Sequence, residues 1–111
     1  MLRLLQELYL GNNQITEVPE ECFKGLHLLR RLDLSGNKIS SLPKSMQVLS
    51  SLTIINLEHN CFEKFPTVLF SLTRLVYISI HHNKLTSLPT GFSKLIFLLD
   101  LWIGINTALY V

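Results

Sequence analysis

Two cysteines in 111 residues, and no N-x-S/T acceptor, are the first scarcities that matter. Small secreted domains lean on a dense disulfide framework, which Cys22 and Cys61 are too few to supply. Glycine is sparse at 5 residues, and no glycine-rich loop of the phosphate-cradling kind occurs. There is no G-x-S-x-G, no H-E-x-x-H and no Cys/His pairing with an orienting acid, so the familiar catalytic arrangements are missing. Charge is thin as well. Charged residues are 16% of the chain, the formal net charge is +2, and Arg30-Arg31 is the single basic doublet. That argues against a dedicated nucleic-acid binder, which usually shows a strong basic patch. The most apolar stretch, 95–111, is 17 residues long and carries Asp100 and Asn106. A spanning helix wants about 20 residues with few or no charges, so no membrane insertion is expected. The opening segment lacks a long apolar run and meets Glu7 early, unlike a secretory signal.

What the chain has instead is a period. Asn13, Asn37, Asn60, Asn83 and Asn106 are separated by 24, 23, 23 and 23 residues. A fixed spacing of this size marks stacked structural units rather than one globular core. The first unit runs Leu5-x-x-Leu8-x-Leu10-x-x-Asn13-x-Ile15-x-x-Val18-Pro19. The second runs Leu29-x-x-Leu32-x-Leu34-x-x-Asn37-x-Ile39-x-x-Leu42-Pro43. Leu52, Ile55, Leu57, Asn60, Phe62, Phe65 and Pro66 fill the third. Leu75, Ile78, Ile80, Asn83, Leu85, Leu88 and Pro89 fill the fourth. A fifth begins at Leu98, Leu101, Ile103 and Asn106, with Ala108 at a large-apolar position.

Period-two alternation, as in Leu32-Asp33-Leu34, predicts a short strand with one buried face. Identical strands joined by long returns must stack parallel around one shared apolar core. The return segments carry Phe23/Leu26, Met46/Leu49, Leu69/Leu72 and Phe92/Leu95 at three-residue spacing, which predicts short helical or 3₁₀ turns after the prolines. The first return is one residue longer than the second, an insertion that a loop-like segment tolerates.

Over essentially its whole length the chain resembles the leucine-rich repeat family, whose pattern L-x-x-L-x-L-x-x-N/C-x-L it meets four times with only aliphatic or aromatic exchanges. It is similar in particular to intracellular 23-residue scaffolds of the Scribble, Erbin and Ras-suppressor kind. The resemblance implies an α/β solenoid: a horseshoe segment with short parallel strands on the concave side and loops or short helical turns on the convex side. Residues 1–111 then form a single array of four full repeats and a truncated fifth, without terminal caps, expected to be a piece of a longer protein. The resemblance also assigns Asn13, Asn37, Asn60, Asn83 and Asn106 to a structural ladder that serves the backbone of successive turns.

Function is then expected on the concave sheet. Side chains flanking the buried pair point away from the core, and they fall into columns. Glu7, Arg31, Ile54, Tyr77 and Asp100 form one, and Tyr9, Asp33, Asn56, Ser79 and Trp102 the next. Gly11, Ser35, Glu58, His81 and Gly104 form the third. From these, Glu7, Tyr9, Arg31, Asp33, Ile54, Asn56, Glu58, Tyr77, Ser79, His81 and Trp102 are the expected protein-binding residues. The resemblance implies a non-catalytic interaction module, an intracellular signalling scaffold or adaptor in the cytoplasm. The rival readings are a ligand-binding fragment of a receptor ectodomain and the substrate-recognition arm of a ubiquitin ligase, kinase or phosphatase complex. No nucleic acid and no cofactor are expected, and uncapped ends imply self-association.

Two details complete the reading. Cys22 and Cys61 occupy different phases of the repeat, two units apart, which is too far for a disulfide, so both are expected as free thiols. Stacking should bring His59 near His82, with His81 adjacent. Imidazoles so placed suit zinc, but no fourth ligand is evident beyond a nearby Glu58, and no metal site is assigned.

Overall fold

The computed structural model describes residues 3–104 and 106. Five three-residue strands, β1 (Glu7–Tyr9), β2 (Arg31–Asp33), β3 (Ile54–Asn56), β4 (Tyr77–Ser79) and β5 (Asp100–Trp102), form one parallel sheet in chain order. Their register is that of the repeat. Glu7 lies opposite Arg31, Arg31 opposite Ile54, Ile54 opposite Tyr77 and Tyr77 opposite Asp100. The middle residue of each strand, from Leu8 to Leu101, faces the core. Leu32, Ile55 and Ile78 are fully buried there.

The core is a continuous apolar seam. Leu29, Leu34, Ile39, Leu52, Leu57, Phe62, Leu75, Ile80 and Leu85, all from the repeated positions, have no more than 1% of their surface exposed. Burying such a side chain contributes about 1.5–3 kcal/mol, so each added coil stabilises its neighbours by covering the previous layer.

The return segments close each coil. 3₁₀ turns span Lys44–Val48, Thr67–Ser71 and Phe92–Lys94. Each begins within three residues after a proline, and Met46 and Leu69 are buried from them. The first return differs. Residues 20–25 form hydrogen-bonded turns rather than a 3₁₀ helix, and Gly25 sits at φ +81°. The extra residue falls between Pro19 and Phe23, within these turns. Leu26 still donates to Phe23 O at 3.1 Å, matching Leu49 to Met46 and Leu72 to Leu69, so the insertion leaves the packing pair in place.

Phe65, Phe70 and Phe92 pack on the convex side. Phe65 lies 5.5 Å from Phe70 and 5.0 Å from Phe92 between ring centroids, and Phe70 meets Phe92 edge-on at 5.0 Å. Phe70 occupies no position of the repeat pattern, yet it is buried. It also explains Gly91, whose φ is +124° and where a Cβ would lie 2.9 Å from Phe70 Cε2.

Both cysteines are free, as expected: Cys22 is exposed and Cys61 partly covered. In a thiol-labelling time course both should react without reductant, Cys22 at the rate of an unhindered thiol and Cys61 clearly more slowly. Label uptake by neither residue would contradict the geometry.

Candidate interaction surface

The turn after each strand sets the surface. The parallel ladder runs past the strand ends. Leu34 N–H donates to Asn56 O, Gly36 N–H to Glu58 O, His59 N–H to His81 O and His82 N–H to Gly104 O. Gly36, His59 and His82, together with Asn12, adopt left-handed backbone at φ +67°, +56°, +57° and +56°. Only glycine and a few short polar or imidazole side chains take this region readily. The slot before Asn13, Asn37, Asn60 and Asn83 is therefore conformationally demanding, although it looks freely variable in the repeat pattern.

The asparagines then close the turns. Asn60 Nδ2 donates to Leu34 O, Leu57 O and Glu58 O at 2.9, 3.1 and 3.2 Å, and its Oδ1 accepts from Ile39 N–H at 3.0 Å. Asn37 and Asn83 repeat this set with Ile15 N–H and Phe62 N–H as donors, and Asn106 accepts from Leu85 N–H. Asn13 departs from expectation. It is exposed, and among the described residues its amide reaches only Leu10 O and Gly11 O of its own turn. Among the described residues the rungs that bridge two coils come from Asn37, Asn60, Asn83 and Asn106, each received by a carbonyl of the coil before it.

The expected concave residues sort by exposure. Tyr9 and Trp102 are each 55% exposed, and Glu7 is exposed beside Tyr9. Arg31, Asp33, Ile54, Asn56, Glu58, Tyr77 and His81 are half-buried along the same face. Ser79 is the exception. It is 1% exposed and its hydroxyl has no hydrogen-bond partner among the described residues. In the register it stands between Asn56 and Trp102, larger neighbours that leave a hydroxymethyl group below the surface. It is thus withdrawn from the binding set. Two carboxylates are locally engaged. Tyr9 OH donates to Glu7 Oε1 at 2.8 Å, and Asp33 Oδ1 accepts from the Ser35 N–H and hydroxyl at 2.9 and 2.6 Å.

Past β3 and β4 three imidazoles meet. The rings of His59 and His82 stack at 4.2 Å, and His81 meets both edge-on at 5.8 and 4.8 Å. His81 Nδ1 and His82 Nδ1 are 2.5 Å apart and share a hydrogen bond. Loss of solvent, then the neighbouring His59 and His81, pull the His82 imidazole below the ordinary histidine range, and Glu58 opposes them. A separate apolar patch of Ile96, Phe97 and Leu99 lies beside Thr53, Arg74 and Val76, off the concave sheet.

Single-strand coils in one parallel sheet, joined by short turns and a column of bridging asparagines, define a solenoid. Models of the leucine rich repeat match residues 3–62 and again 74–95. The chain belongs to the leucine-rich repeat family. Fibromodulin from Oryctolagus cuniculus is 41% identical over 58 residues, covering 52% of this chain and 40% of fibromodulin. The leucine-rich repeat domain of APL1 superposes with a TM-score of 0.89 at 26% identity, covering 98% of this chain and 30% of that one. TLR13, solved in complex with ssRNA13, gives 0.84 at 28% identity over 95% of this chain and 15% of TLR13. The chain thus spans less than half the length of each of these relatives.

Proposed function

We propose that the chain is a protein-interaction module that docks a folded partner or peptide on its concave sheet and carries out no chemistry. The observation that carries this is the set of aromatics on β1, β4 and β5. Tyr9 and Trp102 stand more than half exposed on a rigid sheet, with Tyr77 half-buried between the outer positions. Aromatics held this way offer large contact area at low entropic cost. Glu7, Asp33, Glu58 and Asp100 outnumber Arg31 on the same face, which favours a partner presenting basic side chains and disfavours a phosphate backbone.

The proposed setting is intracellular, as a scaffold or adaptor. Free Cys22 and Cys61 and the absence of an N-x-S/T acceptor support a reducing compartment. The likeness to TLR13 favours a second reading, a fragment of a receptor ectodomain. Among the described residues no helix is long and apolar enough to cross a membrane. Fractionation that finds the native protein in the secretory pathway selects the second reading.

The concave assignment is tested with peptides selected on the immobilised chain. Tyr77→Ala and Trp102→Ala should each weaken the best binder by about 2 kcal/mol, roughly thirtyfold in affinity. Gln47→Ala, on the opposite face, should leave it unchanged. The reverse pattern overturns the assignment.

A further inference from the structure

The histidine cluster is the feature that docking does not absorb. His59, His81 and His82 each offer one ring nitrogen, and these atoms all lie within 4.8 Å of one another. They come from two successive coils, so the repeat itself assembles them. His59 follows β3, and His81 and His82 follow β4. The backbone holds them through the His59 N–H to His81 O and His82 N–H to Gly104 O bonds at 3.1 and 3.3 Å. Beside them, Glu58 Oε2 is buried without a hydrogen-bond partner among the described residues. A buried carboxylate oxygen left without a donor costs free energy unless a cation answers it.

We propose that His59, His81 and His82 form a three-imidazole site for a borderline divalent cation of the zinc(II) type, with Glu58 as the carboxylate that offsets its charge. Neutral imidazole is the preferred ligand of such ions, at about 2.0–2.1 Å. Tetrahedral ligands at that length stand about 3.4 Å apart. Binding then requires side-chain rotation: the close His81–His82 pair opens as the ion replaces their shared hydrogen bond, and His59 turns out of its stack on His82. All three rings keep some solvent contact, two half-buried and one exposed, so an ion can enter and a water, or a ligand from a docked protein, can take the fourth position. The ion would join the third and fourth coils at the rim of the concave sheet.

The test uses zinc chloride as the probe on the full chain with Cys22→Ser and Cys61→Ser, which removes thiol ligands. Titration calorimetry should give one ion per chain with micromolar or tighter affinity. Cobalt(II) in its place should give the intense visible bands of four-coordinate geometry. His59→Asn and His82→Asn suit the left-handed slot, which holds Asn12 in the first coil. Each should weaken binding at least tenfold, since loss of an outer-shell partner alone costs about 10–100-fold. Glu58→Gln should weaken binding less. Circular dichroism checks that each variant remains folded. No binding up to millimolar zinc, or equal binding by the wild-type residues and both folded histidine variants, overturns the site.

Discussion

Asn60→Ala should lower the thermal midpoint by about 12 °C or more, whereas Asn13→Ala should barely move it. The argument follows each orphaned group. Leu34 O keeps its bond from Asn37 Nδ2, Leu57 O keeps Asn83 Nδ2, and Glu58 O keeps Gly36 N–H. Ile39 N–H loses its acceptor, Asn60 Oδ1, and is left buried. An orphaned buried donor costs about 1–3 kcal/mol, and each lost bond about 0.5–1.5 kcal/mol more. Together they reach about 3 kcal/mol, against a total stability of order 5–15 kcal/mol for a domain of this size. Each kilocalorie shifts the midpoint by about 4–8 °C. Asn13, exposed and bonded only to its own turn, has no such dependants. Melting curves followed by circular dichroism decide the matter: an Asn60 variant within about 3 °C of the parent contradicts the ladder account.

Phe65→Ala should destabilise the chain by about 3–5 kcal/mol, read as a shift of the urea midpoint at unchanged slope. Phe65 is 4% exposed and touches both Phe70 and Phe92, so truncation opens a cavity that two other rings line. Those rings cannot easily collapse into the space. Phe70 is pressed against Gly91, and Phe92 is held in its 3₁₀ turn. Phe65→Leu keeps much of the volume and should cost about 1–2 kcal/mol. If both substitutions cost the same, the aromatic trio is not a packed unit.

The strand register was legible in the residues because two periods coincide. Alternation fixes which side chains face inward, and the spacing of the asparagines fixes which strand residue meets which. Glu7, Arg31, Ile54, Tyr77 and Asp100 therefore line up as one column. Other features depended on neighbours that no local pattern names. Ser79 is hidden by the size of what flanks it across the sheet, not by its own place in the strand. Phe70 is drawn inward by Phe65 of its own coil and by Phe92 from the next return. Asn13 has the right spacing, yet among the described residues it bonds only within its own turn. The left-handed slot left a trace that was there to find, since Asn12, Gly36, His59 and His82 are all residues that tolerate positive φ. The histidines' proximity followed from the stacking. Their convergence on a point, and the bare oxygen of Glu58 beside them, needed side-chain directions.

Each strand touches only the strands next to it, and each 3₁₀ turn only the adjacent ones. Evolution can therefore splice a whole winding in or out, and the rest of the molecule needs no rewriting. The seams accept a duplicate because every winding offers its successor the same mould. Recombination in the gene becomes a way to lengthen the wall and reset its curvature. The amino acids on that wall stay free to diverge, one winding at a time.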